Sequence, residues 1–189
     1  MKKTHPLTAT SSLSATTTYD RLNRIRTRSY AGGVSTPSVT YCYDGITSAS
    51  GCAASPSGAF SPGRLTMAQN SIGGAIVSTT QYLGFDGLGR VTASQQVTGA
   101  GGIPVTTFGF AYQYNAVRMT TETYPSLRSV VTSYDNAGRV AGVQNQASSG
   151  TLTPYASGIA YAANNAVNSL TLGNGILEST AKHQKPQEV

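Results

Sequence analysis

Every aspartate of this chain directly follows an aromatic residue, and three of the four lead on to an arginine and an aliphatic residue at one spacing. The copies read Tyr19-Asp20-Arg21-Leu22-Asn23-Arg24-Ile25, Phe85-Asp86-Gly87-Leu88-Gly89-Arg90-Val91 and Tyr134-Asp135-Asn136-Ala137-Gly138-Arg139-Val140. The fourth opens as Tyr41-Cys42-Tyr43-Asp44-Gly45, and its Gly63-Arg64-Leu65 half arrives after an insertion. A residue type confined to one motif does one job, and internal repetition of this kind governs how the rest of the chain is read.

Asp followed three residues later by Gly or Asn is turn chemistry. The carboxylate accepts backbone N–H bonds two residues on, and Gly or Asn takes the left-handed position. A type I turn closed by a left-handed residue is a common three-residue hairpin loop. Arg and then Val, Ile or Leu begin the returning strand, where they point to opposite faces. The aliphatic side chain is expected inward, with Arg over the preceding Tyr or paired with an Asp. Each copy then reads as a hairpin, and copies side by side build a curved sheet with a ladder of Tyr.

Weaker copies fill the gaps. Tyr112-Gln113-Tyr114-Asn115-Ala116-Val117-Arg118-Met119 has Asn for Asp and one residue fewer before Arg, and Ile159–Val167 is a further relic. The period is about 20–30 residues, within the range of stacked repeats. Short β-prone runs alternate with turn signals from Thr17 to about Leu172, and few segments carry the i, i+3, i+4 pattern of a helix. Composition agrees: 11 Tyr against 4 Phe, no Trp, and abundant Thr, Ser and Gly suit pleated strands and turns. The fold class expected is all-β, built of repeated antiparallel β-hairpins in a curved strip. The boundaries expected are a disordered lead-in over 1–16, the strip over 17–180 with a Gly/Ser/Pro-rich loop insertion over 46–62, and a disordered tail over 181–189. An open strip leaves two edges and an apolar face uncovered, so residues 17–180 alone are expected to aggregate or stay molten.

The charge is +6, and all four Lys lie in the end segments, so the interior is positive through Arg alone. A nucleic-acid face more often mixes Lys and Arg, which disfavours that partner. No apolar run is long enough to span a bilayer, and the start lacks the apolar core of a signal peptide. Arg24, Arg26 and Arg28 alternate onto one strand face. They read either as contacts for an anionic partner or as a solvated edge that discourages strand pairing. The Tyr-rich surface could likewise stack on sugar rings or pack between repeats.

Catalytic signals are sparse. His5 and His183 sit in the end segments, and HExxH, CxxC, GxSxG and Walker-type motifs do not occur. Neither an enzyme, a metal site nor a cofactor is expected, since the aspartates already have a turn role and stand apart from the glutamates. Cys42 and Cys52 permit one disulfide clipping the insertion to its strand, or two unpaired thiols; spacing alone leaves both open.

The residues Tyr-Asp-x-x-Gly-Arg-Val, with Tyr-x-Tyr-Asp at Tyr41–Asp44, resemble the YD repeats of the rearrangement-hotspot (Rhs) family. That family includes polymorphic toxins, toxin-complex C subunits, wall-associated proteins and teneurins. The resemblance runs from about Thr17 to Thr180 and includes the phrases Glu122–Ser126 and Ser169–Gly175. The motif set it covers is Tyr19, Asp20, Arg24, Tyr41, Tyr43, Asp44, Arg64, Phe85, Asp86, Gly89, Arg90, Tyr112, Tyr114, Arg118, Tyr134, Asp135, Gly138 and Arg139. The resemblance implies a β-strip that spirals into a shell around a cargo, with neighbouring repeats or a toxin domain as partners and an exported or cell-surface parent. This chain holds about six units. It lacks the Asp-Pro-x-Gly boundary of such shells, which gives it the look of a fragment of a longer member. Two roles are carried forward: a non-catalytic shell segment, or a module binding carbohydrate or a cell surface through Tyr and Arg.

Overall fold

The structure is a computed structural model. It describes the backbone of residues 2–8 and 11–13 and all atoms of 14–32, 36–48, 51–99 and 105–180. The chain divides into two compact units, residues 1–111 and 112–189. Unit one contains β1 (Lys2–Thr8), β2 (Ser11–Tyr19), β3 (Ile25–Ala31), β4 (Ser38–Tyr43), β5 (Leu65–Ile72), β6 (Ala75–Phe85), β7 (Val91–Thr98) and most of β8 (Thr106–Tyr114). Unit two contains β9 (Met119–Thr123), β10 (Ser129–Tyr134), β11 (Val140–Gln146), β12 (Leu152–Tyr161), β13 (Val167–Leu172) and β14 (Leu177–Ser179). Within each unit every strand pairs antiparallel with the next in the chain. The described residues contain no helix, and the expected all-β, antiparallel-hairpin class is borne out.

A meander returns every second turn to the same end of its strands. The motif hairpins β2–β3, β4–β5 and β6–β7 therefore share one rim of unit one, and β10–β11 and β12–β13 share one rim of unit two. Successive motif hairpins stand two strand spacings apart, about 10 Å. The register carries one device repeatedly. Tyr19, Tyr43, Phe85, Tyr134 and Tyr161 pair with Ile25, Leu65, Val91, Val140 and Val167, and in each case the register shifts just before the aromatic residue. One extra residue on the returning strand makes a β-bulge there, which strengthens the local twist and re-aims side chains.

Two boundaries differ from expectation. The lead-in over 1–16 contains β1 and most of β2, and β2 pairs with β3 from Ser14↔Ala31 to Tyr19↔Ile25. A Ser/Thr-rich segment has little apolar surface to signal order, but Thr suits a strand once a partner offers its hydrogen bonds. The described residues of the insertion over 46–62 carry no strand, yet they pack tightly. Cys52, Ser55 and Ser61 are 2%, 4% and 2% exposed, and Cys42, Cys52 and Met67 form a buried apolar cluster between the insertion and strands β4 and β5. Thr66, the bulge residue of β5, is fully buried and joins the two layers through hydroxyl bonds to Ser55 and to the Cys42 carbonyl. Gln81 of β6 donates to the Ala54 carbonyl at 3.0 Å. The insertion thus covers this part of the sheet. In unit two no large apolar side chain is buried among the described residues. The tail expected over 181–189 lies outside them.

Candidate functional site

Each motif loop is built around its carboxylate. In the first copy, Asp20 N donates to Arg24 O at 2.9 Å and Asn23 N to Asp20 O at 3.1 Å, closing the three-residue loop. Asp20 Oδ1 accepts from the amides of Leu22 and Arg24, both at 2.9 Å, and Oδ2 accepts from Arg24 Nε at 2.7 Å. Asp86 and Asp135 repeat the set, with Nε of Arg90 and Arg139 at 2.7 and 2.8 Å. The left-handed positions fall on Asn23, Gly89 and Gly138, at φ of 60°, 83° and 75°.

Arginine does more than clamp its own loop. Arg24 reaches the next hairpin on its rim, donating from Nη1 and Nη2 to Asp44 Oδ1 and Oδ2 at 3.1 and 2.6 Å, with its guanidinium 4.3 Å from the Tyr43 ring centre. Arg64 lies over Phe85 at 5.5 Å and donates to the Gly89 carbonyl at 3.3 Å. In unit two, Arg118 lies over Tyr134 at 5.4 Å, and Arg139 lies over Tyr161 at 4.5 Å while donating to Asn165 Oδ1 at 3.4 Å. Tyr134 and Tyr161 return hydroxyl bonds to the carbonyls of Met119 and Val140, each the residue after that arginine. Arginine was expected over the preceding Tyr or paired with an Asp; Arg24, Arg90 and Arg139 pair with aspartates, and where arginine lies over a ring in these four copies it is the following aromatic residue. The reason is the meander, which brings the next motif within reach of a long side chain; Arg24 and Arg139 make this reach while Nε stays anchored at their own loops.

The electrostatics follow the contacts. The Arg24 backbone amide bond is the largest influence holding the Asp20 carboxyl below its usual range, with the Arg24 side chain adding to it. The Arg24 guanidinium does the same for Asp44 as its leading influence. Burial pushes the Asp86 carboxyl upward most strongly, and the bonds and charge of Arg90 with the Leu88 amide together outweigh it, so the net shift is downward. The Arg139 amide leads the downward shift of Asp135. Hydrogen bonding to Asp44, then to Asp20, holds the Arg24 proton more tightly than usual. These are carboxylates fixed as anions by cations, the reverse of what proton transfer near neutral pH requires. Among the described residues no group of three His, Cys, Asp or Glu side chains could hold a metal ion, and no helix is long and apolar enough to cross a membrane.

The remaining motif residues fall as follows. Asp44 N still donates to Arg64 O at 2.9 Å across the insertion, but Arg64 Nε has turned to Gly89. Asn115 closes a shorter loop, its side-chain oxygen accepting from Val117 and Arg118 N at 2.9 and 2.7 Å. Tyr112 and Tyr114 lie on β8 ahead of it. Cys42 and Cys52 are disulfide-bonded, with Cα atoms 5.7 Å apart. Tyr41, Arg26 and Tyr19 line a concavity of about 230 Å³ beside Arg21 and Ile46. Arg28 lies on the same strand outside it. Of the three arginines read as one cluster, Arg24 and Arg26 both line the concavity, Arg24 with its guanidinium held by two aspartates, and Arg28 stands outside it. The edge-protection alternative loses its premise, because β3 pairs on both sides.

Sequence reasoning missed a hairpin family on the opposite rim of unit two. Tyr124–Arg128, Ala147–Thr151 and Leu172–Ile176 close with the same pair of backbone bonds as the motif loops. Arg128 lies near both Tyr124 and Tyr155, 5.4 and 6.0 Å from their ring centres. The available signal was the Tyr-to-Arg spacing of four residues, which equals the Asp-to-Arg spacing of the motif.

No protein-family model matches the chain, and no curated protein matches it. Solved structures do. The TcdB2-TccC3 crystal structure is similar over 93% of this chain with a TM-score of 0.55 at 13% identity. The TcdB2-TccC3-Cdc42 crystal structure and a Photorhabdus luminescens Tc holotoxin pore each match over 90% with a TM-score of 0.54, also at 13% identity. The chain spans 10%, 10% and 9% of those chains, about a tenth of their length. At this identity the likeness is one of fold: a repeated β-hairpin sheet similar to part of toxin-complex chains.

Proposed function

We propose that this chain is a non-catalytic structural segment of an Rhs/YD-repeat shell that encloses or displays a partner or toxin domain. The observation that carries the proposal is the forward reach of Arg24, Arg64, Arg118 and Arg139, each over the aromatic residue of the next motif on its rim. A contact set that each repeat offers to its successor propagates, and propagation is what a wall needs; a catalytic site needs convergence at one place. The fold likeness to part of toxin-complex chains supports the same reading. The cargo would be a further domain of the same polypeptide, and the parent would be exported or exposed at the cell surface.

Sequencing the DNA on either side of this reading frame tests the proposal. Further in-frame Tyr-Asp-x-x-Gly-Arg repeats, adjoining a domain without repeats, are the expected result. Flanks free of such repeats on both sides would overturn it. A second reading, as a carbohydrate- or surface-binding module, draws on the concavity lined by Tyr19, Tyr41, Arg21 and Arg26 in unit one.

A further inference from the structure

The phrase Ser169–Gly175 ends in Asn174-Gly175, the one place in the sequence where asparagine precedes glycine. It forms the loop between β13 and β14. Leu172 N donates to Ile176 O and Gly175 N to Leu172 O, both at 2.8 Å, and Asn174 Oδ1 accepts from Ile176 N at 3.1 Å. The loop between β12 and β13 repeats this geometry. Ala162 N donates to Ala166 O and Asn165 N to Ala162 O, both at 2.9 Å, and Asn164 Oδ1 accepts from Ala166 N at 3.2 Å.

Two differences separate the copies. Asn164 is followed by another asparagine, whereas Asn174 is followed by a glycine at φ 85°, with nothing within 4 Å of where a Cβ would stand. A residue without Cβ leaves its nitrogen open to the preceding side chain. The Ala162–Ala166 loop joins strands of 10 and 6 residues, while the Leu172–Ile176 loop leads into β14, 3 residues long and exposed throughout. β14 meets β13 at Ser169↔Ser179, Leu170↔Glu178 and Thr171↔Leu177. A short exposed strand opens locally at low free-energy cost, before the rest of a sheet.

An asparagine side chain places an electrophilic carbon beside the next backbone nitrogen. In the closed loop both groups are occupied, Gly175 N–H by Leu172 O and Asn174 Oδ1 by Ile176 N. Opening releases them together and lets them reach attack geometry. The Gly175 nitrogen then bonds to Asn174 Cγ, the Cγ–Nδ2 bond breaks, and ammonia leaves with the proton that Gly175 N loses. Water opens the cyclic imide at Cγ, giving aspartate, or at the main-chain carbonyl carbon of residue 174, giving isoaspartate with the chain running through Cγ. Nothing is oxidised or reduced. Isoaspartate lengthens the backbone inside the loop, so the pair of bonds between Leu172 and Ile176 no longer closes.

We propose that Asn174 is a self-modifying site, held inert by the closed β13–β14 hairpin and cyclising onto Gly175 when that hairpin opens, so that isoaspartate records the opening and keeps the strand released. The site is independent of the shell reading, since the motif arginines take no part in it.

Peptide mass mapping of the full chain, held at mildly alkaline pH in buffer and in sub-denaturing urea, tests it, with an isoaspartate methyltransferase marking the isomer. Conversion at Asn174 with isoaspartate among the products is expected, about tenfold or more faster in urea than in buffer, while Asn164 stays an amide. Gly175→Ala is expected to slow conversion about tenfold or more, because Cβ obstructs the nitrogen, although strain at positive φ loosens the same loop. A merely structural role for this glycine predicts acceleration instead. Hydrogen exchange over residues 172–177 is expected to stay fast in the isoaspartate fraction after urea is removed. Aspartate formed without isoaspartate, Asn164 converting as fast as Asn174, a rate unchanged by urea, Gly175→Ala converting as fast as the unaltered chain, regained exchange protection in the isoaspartate fraction, or no conversion at all would each overturn the proposal. Should Gly175→Ala fail to fold, the comparison of Asn174 with Asn164 on the unaltered chain decides the matter.

Discussion

Arg24 Nη2 lies 2.6 Å from Asp44 Oδ2, although 20 residues and a hairpin separate them along the chain. The same guanidinium holds Asp20 through Nε and covers Tyr43, so one side chain ties its own loop to its neighbour's. Arg118 and Arg139 lie over the next rim aromatic in unit two.

A double-mutant cycle on Arg24→Ala and Asp44→Ala, read by urea unfolding, is expected to return a coupling of about 1 kcal/mol. That is the upper end for partly exposed ion pairs, reached here because the contact is two-pronged. Arg24→Lys is expected to recover only part of it, since an ammonium cannot hold two aspartates and a ring at once.

Stability is expected to fall in acid. Asp20, Asp44, Asp86 and Asp135 all have folded-state carboxyl pKa values depressed below their ordinary value. The unfolded chain therefore takes up protons first as pH drops, near about 4, and draws the equilibrium toward itself. The contribution is fully present above that point and is lost as pH falls through the lower folded values. Thermal melts from pH 7 to pH 2.5 check this, and Asp44→Asn is expected to flatten the acid limb.

Gly138→Ala and Gly150→Ala separate two reasons for glycine. Both sit at positive φ, 75° and 84°, and both replacements pay about 1 kcal/mol of backbone strain. A Cβ at Gly138 would also stand 3.1 Å from Arg118 Cζ, with Nη2 nearer still, while nothing lies within 4 Å of one at Gly150. Denaturant unfolding is expected to show the larger loss for Gly138→Ala, together with weakened packing of Arg118 on Tyr134.

Reduction of Cys42–Cys52 is expected to cost about 2–3 kcal/mol, from the entropy of a loop of this length. Cleavage should appear first within residues 46–62, since the disulfide and the Ser55–Thr66 bond help hold that segment against the strands. Limited proteolysis with and without reductant, followed by mass mapping, locates the cut.

How much of this was legible varies with the range of the interaction. The loop at Asp135–Arg139 could be read from residues alone, because the carboxylate, the left-handed Gly138 and the arginine meet within five positions. The bulge before each aromatic residue was not legible, since it exists only as a mismatch between two strands. Tyr124–Arg128 escaped notice because Tyr stands where Asp marks the other loops, and Leu127 occupies a positive φ that glycine or asparagine normally announces. The insertion read as a plain loop, because Ser, Gly and Pro give no apolar signal. Its burial rests on a disulfide and on hydroxyl bonds whose partners lie on β4 and β5.

The sequence by itself determined the hairpins, their all-β character and the pairing of Asp20, Asp86 and Asp135 with the arginine four residues on, because those are contacts between near neighbours in the chain. Only the tertiary structure decided where the far end of Arg24, Arg64, Arg118 and Arg139 goes and why Gly89 must lack a side chain beneath Arg64. Those depend on distances between separate hairpins, and such distances are set when the meander stacks alternate turns on one rim.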